Sequence, residues 1–368
     1  MAPSRGCVKG VGGAVTSVSL LPAYGMPYHT GHQGHLPELT RSRLMRLTSA
    51  CALAILLVAV PARAADKISF GMDWQIFGRH AGFVVAQEKG FFKAEGLDVE
   101  VVRGYGANDA IKRIAAGTIG IGMGDTGSLV IARAQGIKVK AIGMVYGKAP
   151  YVLWIRKDAG VQTPKDLEGK NIGSAAGSVV RQLFPAFARL AGVDAAKVKW
   201  TTIDAPSHLP MLFSKRVDAV IDYYIGLPTV TKKAQEAGVE IQSMLYADHG
   251  LNIYSNAIMV KEELLKEQPD LARKLVRAAY QGIDWAIKNP AEAARIVKAR
   301  HPELDADTAA AEIGIVKDLV WTPEAKQHGI GYMDPEKMRV TRDVITQAYE
   351  LKVTVSPDEV YTNSFLPR

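Results

Sequence analysis

The chain has 368 residues, 48% of them hydrophobic and 22% charged, with a mean hydropathy of +0.02, an ordinary globular balance with enough apolar mass for two domains. Its formal charge of +8 gathers at the start: residues 1–64 hold six basic groups and one acid, so residues 65–368 carry 39 basic and 36 acidic groups, or +3. No basic stretch of the kind that binds nucleic acid remains there, and both cysteines, Cys7 and Cys51, also lie in the first 64 residues, which leaves the remainder without a thiol nucleophile or a zinc–thiolate site.

In chain order, the first feature is "MRLTSACALAILLVAVPARA", Met45 to Ala64. Arg41, Arg43 and Arg46 precede or open it, and Leu47 to Val60 is an apolar run too short to span a membrane. Ala62-Arg63-Ala64 then gives an A-x-A cleavage site. The pattern predicts a leader over 1–64 that contains a signal peptide, cleaved before Ala65, and export to the periplasm, where a cysteine-free chain is well suited. A signal of usual length would begin at Met45, so residues 1–44 read as an extension upstream of the true start. Their His29, His32 and His35 lack any strand or helix pattern and are not taken as a metal site.

From residue 67 onward strands and helices alternate. "KISFGM" predicts a strand, "HAGFVVAQEKGFFKAEG" a helix ending near Gly90, "LDVEVVRG" a strand and "GANDAIKRIAAGT" a helix stopped by Gly117. "IGIGMG", "TGSLVIARAQG" and "KVKAIGMVYG" continue as strand, helix and strand. The idiom repeats with strands at "YVLWIRKD", "KNIGSA", "VKWTTI", "VDAVIDYY" and "VEIQSML", and with helices between them. After a last strand in "NAIMVKEELLKE", helices are predicted at about 261–289, 290–300, 305–319 and 335–351. Repeated β-α-β predicts an α/β protein with mostly parallel sheets covered on both faces. The crossovers, near 148–151 and 250–254, divide it into lobe I (65–148 plus 251–368) and lobe II (149–250), with a ligand between the lobes at the carboxyl ends of the strands.

One glycine motif points elsewhere. "GMGDTG", residues 122–127, is a literal G-x-G-x-x-G between a strand and a helix. A dinucleotide site would want an acid at the end of the next strand, which ends instead in Met144, Val145 and Tyr146, and Asp125 would repel the phosphates. Asp125 and Thr126 therefore read as a helix cap and a cleft-facing pair.

"MDWQIFGRHAGFVVAQEKGFFKAEGLDVEVV" resembles the first lobe of the periplasmic solute-binding proteins for thiamine pyrimidines and for alkanesulfonates, taurine and nitrate. The D-W at the first strand end, the K-G-F-F helix exit and the following G-L-D-V carry the resemblance, and "RIAAGTIGIGMGDTGSLVIARAQGIKVKAIG" and "GVQTPKDLEGKNIGSAAGSVVRQLFPAFARLAGV" continue it over nearly all of 66–350. It implies the type II periplasmic binding protein fold, two lobes with mixed, mostly parallel sheets and a helical C-terminal tail. It also implies a monomer that carries a small molecule to an ABC permease, with no cofactor, no metal and no nucleic acid. Eukaryotic relatives of this fold make the thiamine pyrimidine with a histidine, a lysine-bound pyridoxal phosphate and a cysteine-rich segment. The absence of cysteine after residue 64 argues against that chemistry here.

The candidate ligand-binding residues sit at strand ends and helix starts: Asp73, Trp74 and His80 in the first break, Asn108 in "GYGAND", Asp125 and Thr126, Ser178 and Val179 in "GSAAGSVVRQ", and Asp222 and Tyr223 in "DAVIDYYIG". Trp74 either packs in the core or stacks on a flat ligand, with Asp73 as its polar neighbour or as a turn cap. His80 either opens a helix or touches ligand, Arg79 is expected in solvent, and Ser178 can cap its helix. Arg181 is a candidate clamp for an acidic ligand; Phe77, Tyr146 and Tyr254 are weaker candidates. Three acids with Trp74 and Tyr223 favour an aminopyrimidine-like heterocycle. A sulfonate, nitrate or aromatic carboxylate would instead draw on Arg181 and helix N–H groups.

Overall fold

The computed structural model describes residues 67–353 and 355–367, so the predicted leader lies outside the described residues. Lobe I holds strands β1 (Lys67–Gly71), β2 (Asp98–Val102), β3 (Ile121–Asp125) and β4 (Val139–Met144). Lobe II holds β5 (Tyr151–Arg156), β6 (Asn171–Ser174), β7 (Lys199–Thr202), β8 (Ala219–Tyr223) and β9 (Ile241–Leu245), after which β10 (Asn256–Lys261) returns to lobe I. The sheet orders are β2-β1-β3-β10-β4 and β7-β6-β8-β5-β9. In each sheet the strand arriving from the other lobe takes the fourth place and runs antiparallel: β10 against β3 and β4, β5 against β8 and β9. This repeated mixed order with a helical C-terminal region is the type II periplasmic binding protein fold.

Burial follows from composition. β3 and β5 are buried at every residue, as continuous apolar runs covered on both faces should be. Helix Ala107–Ala115 buries Ala107, Ala110, Ile111 and Ile114, one stripe at helical spacing, and leaves its charges outside.

Three predicted helices are interrupted. The first becomes a 3-10 turn at Gly78–His80, helix Ala81–Glu88 and the single turn Phe91–Ala94, entered through Gly90 at φ 76°. The helix after "GSAAGS" splits into Val179–Gln182 and Phe184–Ala191 around Pro185, which lacks the N–H that would continue the ladder. Pro269 likewise separates Glu262–Glu267 from Pro269–Lys288. Helices Pro290–Arg300, Ala306–Val320 and Pro335–Ala348 lie where expected, while Pro323–His328 and Pro357–Val360 were not foreseen.

The C-terminal helices reach across to lobe II. Thr229 Oγ1 donates to Glu312 Oε1 at 2.8 Å, Arg189 Nη1 donates to the Gln347 carbonyl at 3.0 Å, and Lys232 pairs with Asp305 at 3.4 Å.

Candidate functional site

The chain leaving β1 does not turn away at once. Met72 N–H donates to the Val102 carbonyl, Gly104 N–H to that of Trp74, and Gly106 N–H to that of Asp73, all at 2.8–2.9 Å. A side chain at Gly104 would place its Cβ 2.0 Å from the Met72 carbonyl oxygen, which is why the turn reads Gly-Tyr-Gly. This backbone pairing fixes Trp74, half-buried, on one wall of a cleft between the lobes. The cleft encloses about 420 Å³ of unfilled space, part of it open to solvent.

Asp73 points the other way. Its Oδ1 accepts from His80 Nε2 at 2.9 Å and its Oδ2 from Asn256 Nδ2 at 3.0 Å. His80 is fully buried and its Nδ1 accepts the Phe77 N–H at 3.1 Å, so the Nε2–H tautomer faces Asp73. Burial pushes the Asp73 carboxyl up, but His80, Arg79 and Asn256 together outweigh it and hold it below the usual range. Burial also pulls the His80 imidazole down, against Asp73, which favours the neutral ring. Asn256 Oδ1 in turn accepts from Tyr223 OH at 2.8 Å and from Ser255 Oγ at 2.9 Å. The result is a closed polar core at the root of the cleft that ties β1, β8 and β10 together.

Arg79 overturns the expectation of a solvated side chain, being only 8% exposed. The 3-10 turn directs its guanidinium into the cleft, 5.0 Å from the centre of the Tyr223 ring and 5.3 Å from that of Phe77. Burial lowers its pKa, but Asp73, Asp222, Tyr146 and Tyr223 more than compensate, so it stays charged. Its Nε is buried without a hydrogen-bond partner among the described residues.

Lobe II supplies the facing wall. Ser178 accepts the Arg181 N–H at 3.4 Å as the helix cap, and with Val179 and Val180 it lines the cleft. Asp222 and Tyr223 close the end of β8; Asp222 Oδ1 accepts the Tyr223 N–H at 2.7 Å. His208, 6% exposed, joins them with its Nε2 buried and unpartnered among the described residues. Burial pulls this imidazole below its ordinary value, with Asp222, Asp204 and a hydrogen bond at the Ile203 backbone acting in the other direction.

Of the ten sequence candidates, the structure brings Trp74, Ser178, Val179, Asp222 and Tyr223 to the cleft. It does not bring Asp73 and His80, which bond each other in the core beneath it. Nor does it bring Asp125 and Thr126, which are fully buried. Asp125 Oδ1 caps its helix by accepting the Ser128 N–H at 2.8 Å, its Oδ2 accepts from Tyr151 OH, and Thr126 bonds the Ser255 carbonyl through both N–H and Oγ1. "GMGDTG" is thus a strand-to-helix joint whose leading N–H groups are already used. Asn108 donates to Gln182 Oε1 at 2.6 Å, across the cleft mouth, and Ser128 Oγ donates to the same oxygen at 2.9 Å. Arg181 lies on Trp200, 4.9 Å from the ring centre, and bonds Thr202 Oγ1, away from the cleft. Tyr146 OH donates to the Arg79 carbonyl, and Tyr254 OH accepts the Asp334 N–H. Sequence reasoning missed His208, Gln182 and Asn256. The signal for Asn256 was a polar pair, Ser255-Asn256, opening an otherwise apolar strand.

Burial raises Asp125 to about 6, against the hydrogen bonds from Tyr151 and Ser128. A carboxyl that holds its proton more tightly when folded stabilises the fold most below its unfolded pKa, near 4, and this contribution falls as pH rises through about 6. Asp125→Asn keeps the oxygen that caps the helix and removes the charge, with its amide NH2 facing the Tyr151 hydroxyl, which can turn to accept from it. The difference in urea stability between variant and parent is therefore expected to grow in the variant's favour from pH 4 to pH 7. A constant difference across that range would refute the buried, proton-linked carboxyl.

The cleft thus combines an indole wall, a charged donor (Arg79), an ionisable acceptor (Asp222) and a second imidazole nitrogen (His208). Among the described residues no group of three or more histidine, cysteine or acidic side chains could hold a metal ion, and no helix is long and apolar enough to cross a membrane.

Comparison with known proteins gives a match to the NMT1/THI5-like family over residues 78–293. The riboflavin-binding protein RibY of Chloroflexus aurantiacus is 29% identical, over 82% of this chain and 86% of that protein. The formylaminopyrimidine-binding protein of Halalkalibacterium halodurans is 25% identical over 65% and 72%. A 4-amino-5-hydroxymethyl-2-methylpyrimidine phosphate synthase of Legionella pneumophila is 24% identical over 65% and 75%. Among solved structures, the alkanesulfonate-binding protein SsuA of Xanthomonas axonopodis, bound to MOPS, superposes with a TM-score of 0.64 at 11% identity, over 80% of this chain and 98% of that one.

Proposed function

The chain belongs to the NMT1/THI5-like family, and on that premise we propose that it is an extracytoplasmic solute-binding protein whose two lobes close on a small, flat heterocycle and deliver it to an ABC importer. Residues 65–148 and 251–368 make lobe I in this reading, and 149–250 make lobe II. The protein acts as a monomer, exported by its leader, and performs no covalent chemistry. Ligand contributes contacts to both lobes and so shifts the population toward the closed form.

The observation that carries the reading is the composition of the cleft: Trp74 from lobe I, Asp222, Tyr223 and His208 from lobe II, and Arg79 beside the Tyr223 ring. An indole beside a few convergent polar groups suits a planar ligand with polar edges. The relatives named for riboflavin and formylaminopyrimidine point the same way. Asp222 weighs against a sulfonate or nitrate, whose negative charge it would repel, and Arg181, the arginine considered for such a ligand, lies on Trp200 instead.

A thermal-shift and calorimetry panel tests this directly. Riboflavin, lumichrome, aminopyrimidines, formylaminopyrimidine, alkanesulfonates and aromatic acids are compared on the protein freed of co-purified ligand. A rise in Tm with one or more of the planar heterocycles, and none with the sulfonates, is the expected result. A rise with sulfonates alone would exclude the proposal.

A further inference from the structure

Two side chains in the cleft are built as though something else completes them. Arg79 is 8% exposed and His208 6%, and each keeps a buried nitrogen, Nε of Arg79 and Nε2 of His208, with no hydrogen-bond partner among the described residues. Arg79 faces Asp222 closely enough to feel its charge, yet among the described residues its guanidinium makes no ion pair. Asp222 Oδ1 takes one N–H, from Tyr223, while its Oδ2 has no donor among the described residues. A buried donor or acceptor without a partner is costly, so Arg79 and His208 gain from a ligand that supplies the missing groups, and the half-buried Asp222 needs a donor once a ligand excludes water from it.

The charges narrow what that ligand is. One guanidinium and one carboxylate line the cleft. A net anion gains at Arg79 and loses at Asp222, a net cation does the reverse, and a plain hydrocarbon ring leaves both desolvated and unpaired. A neutral ring with a hydrogen-bond acceptor beside an N–H satisfies both at once. The indole of Trp74 offers its face to the same ring, and His208 Nε2 provides a further polar contact.

Resting on the heterocycle reading above, we infer that this cleft selects its ligand by one edge: a ring acceptor or carbonyl bonded by Arg79 next to an N–H bonded by the Asp222 carboxylate. Lactam and ureide rings present that pair, and so do 4-aminopyrimidines, through the ring nitrogen and the adjacent amine. Rings of the same size without the N–H are rejected, because Asp222 is then desolvated with nothing to accept.

The probes are lumiflavin, whose N3–H is its single N–H, and 4-amino-2-methylpyrimidine, each paired with the analogue whose N–H is methylated, 3-methyllumiflavin and 4-dimethylamino-2-methylpyrimidine. Calorimetry on the wild-type protein should show at least one parent binding and its methylated partner weaker by about 30-fold, the cost of an unpaired buried acceptor. In Asp222→Ala, which removes the acceptor and makes room for the methyl group, that ratio should fall below about 3-fold. Asp222→Asn, of the same shape, covers a loss of folding in the alanine variant and should weaken the parent about 10-fold while leaving the methylated probe unchanged. If a parent binds and methylation makes no difference, or if the ratio persists in Asp222→Ala, the edge recognition is wrong while the heterocycle reading stands. If no planar heterocycle binds at all, the heterocycle reading falls and this inference with it.

Discussion

Gly177→Ala should weaken ligand binding about 10- to 100-fold while leaving the unliganded protein as stable as before. Gly177 has no positive φ, so its own backbone accepts alanine. The obstacle is in the other lobe: a Cβ on Gly177 would lie 2.8 Å from the Tyr105 carbonyl oxygen. Gly106 completes the contact from its side, with φ 134° and a Cβ position 2.4 Å from the Gly177 carbonyl oxygen. The lobes therefore meet backbone to backbone at the cleft mouth, beside the Asn108–Gln182 hydrogen bond. An added methyl group here is overpacking, at a cost of about 1–3 kcal/mol, and it is felt only when the lobes close. Because binding requires closure, the whole cost appears in the apparent affinity. Calorimetry gives the affinity, and small-angle scattering gives the ligand-induced compaction, which should shrink or vanish. Unchanged affinity would mean that the two glycines do not touch in the bound state. Gly106→Ala is a poorer test, since the strain at its positive φ would also act on the open form.

Trp74→Ala should remove about 1–3 kcal/mol of binding, up to 100-fold in Kd, if the indole stacks on a base-like ring. The backbone of Trp74 is held through its carbonyl by Gly104, and that bond survives the substitution. The side chain is only half-buried, so little core packing is lost. Circular dichroism and thermal melting should therefore change little, and the ligand-induced shift in Tm should collapse. A variant that unfolds without ligand would place the indole in the core. One that binds normally would take it out of the site.

Much of the fold was legible because two periodicities alternate cleanly along the chain, and because crossover strands show as apolar runs at "YVLWIR" and "NAIMV". The helix breaks at 183 and 268 came from Pro185 and Pro269, residues visible in the sequence but outweighed there by continuous helical spacing. The site was legible only in part. Strand-end position led to Trp74, Asp222 and Tyr223, which line the cleft. It could not say which way neighbouring polar residues face. Asp73 and Trp74 are adjacent in the bend that follows β1, yet the Trp74 side chain reaches the cleft and that of Asp73 the buried His80. Arg79 reversed the usual rule that a charged side chain near a helix start is solvated, because a 3-10 turn replaces the first helical turn and aims it inward. Asp125 and Asn108 were drawn into partnerships with Tyr151 and Gln182, which lie 26 and 74 residues away. No local pattern encodes such pairings.

The reach of the C-terminal helices onto lobe II has a practical side. Glu312, Gln347 and Asp305 belong to helices and caps that line no part of the cleft, yet each holds a residue of the opposite lobe. In the lobe closure proposed above they form a second seam, made and broken in the same motion as the ligand site. Trimming or fusing the end of this chain would thus retune its grip on ligand from a distance. A biosensor built on it could use that seam as an adjustment screw for sensitivity, with the recognition surface left untouched.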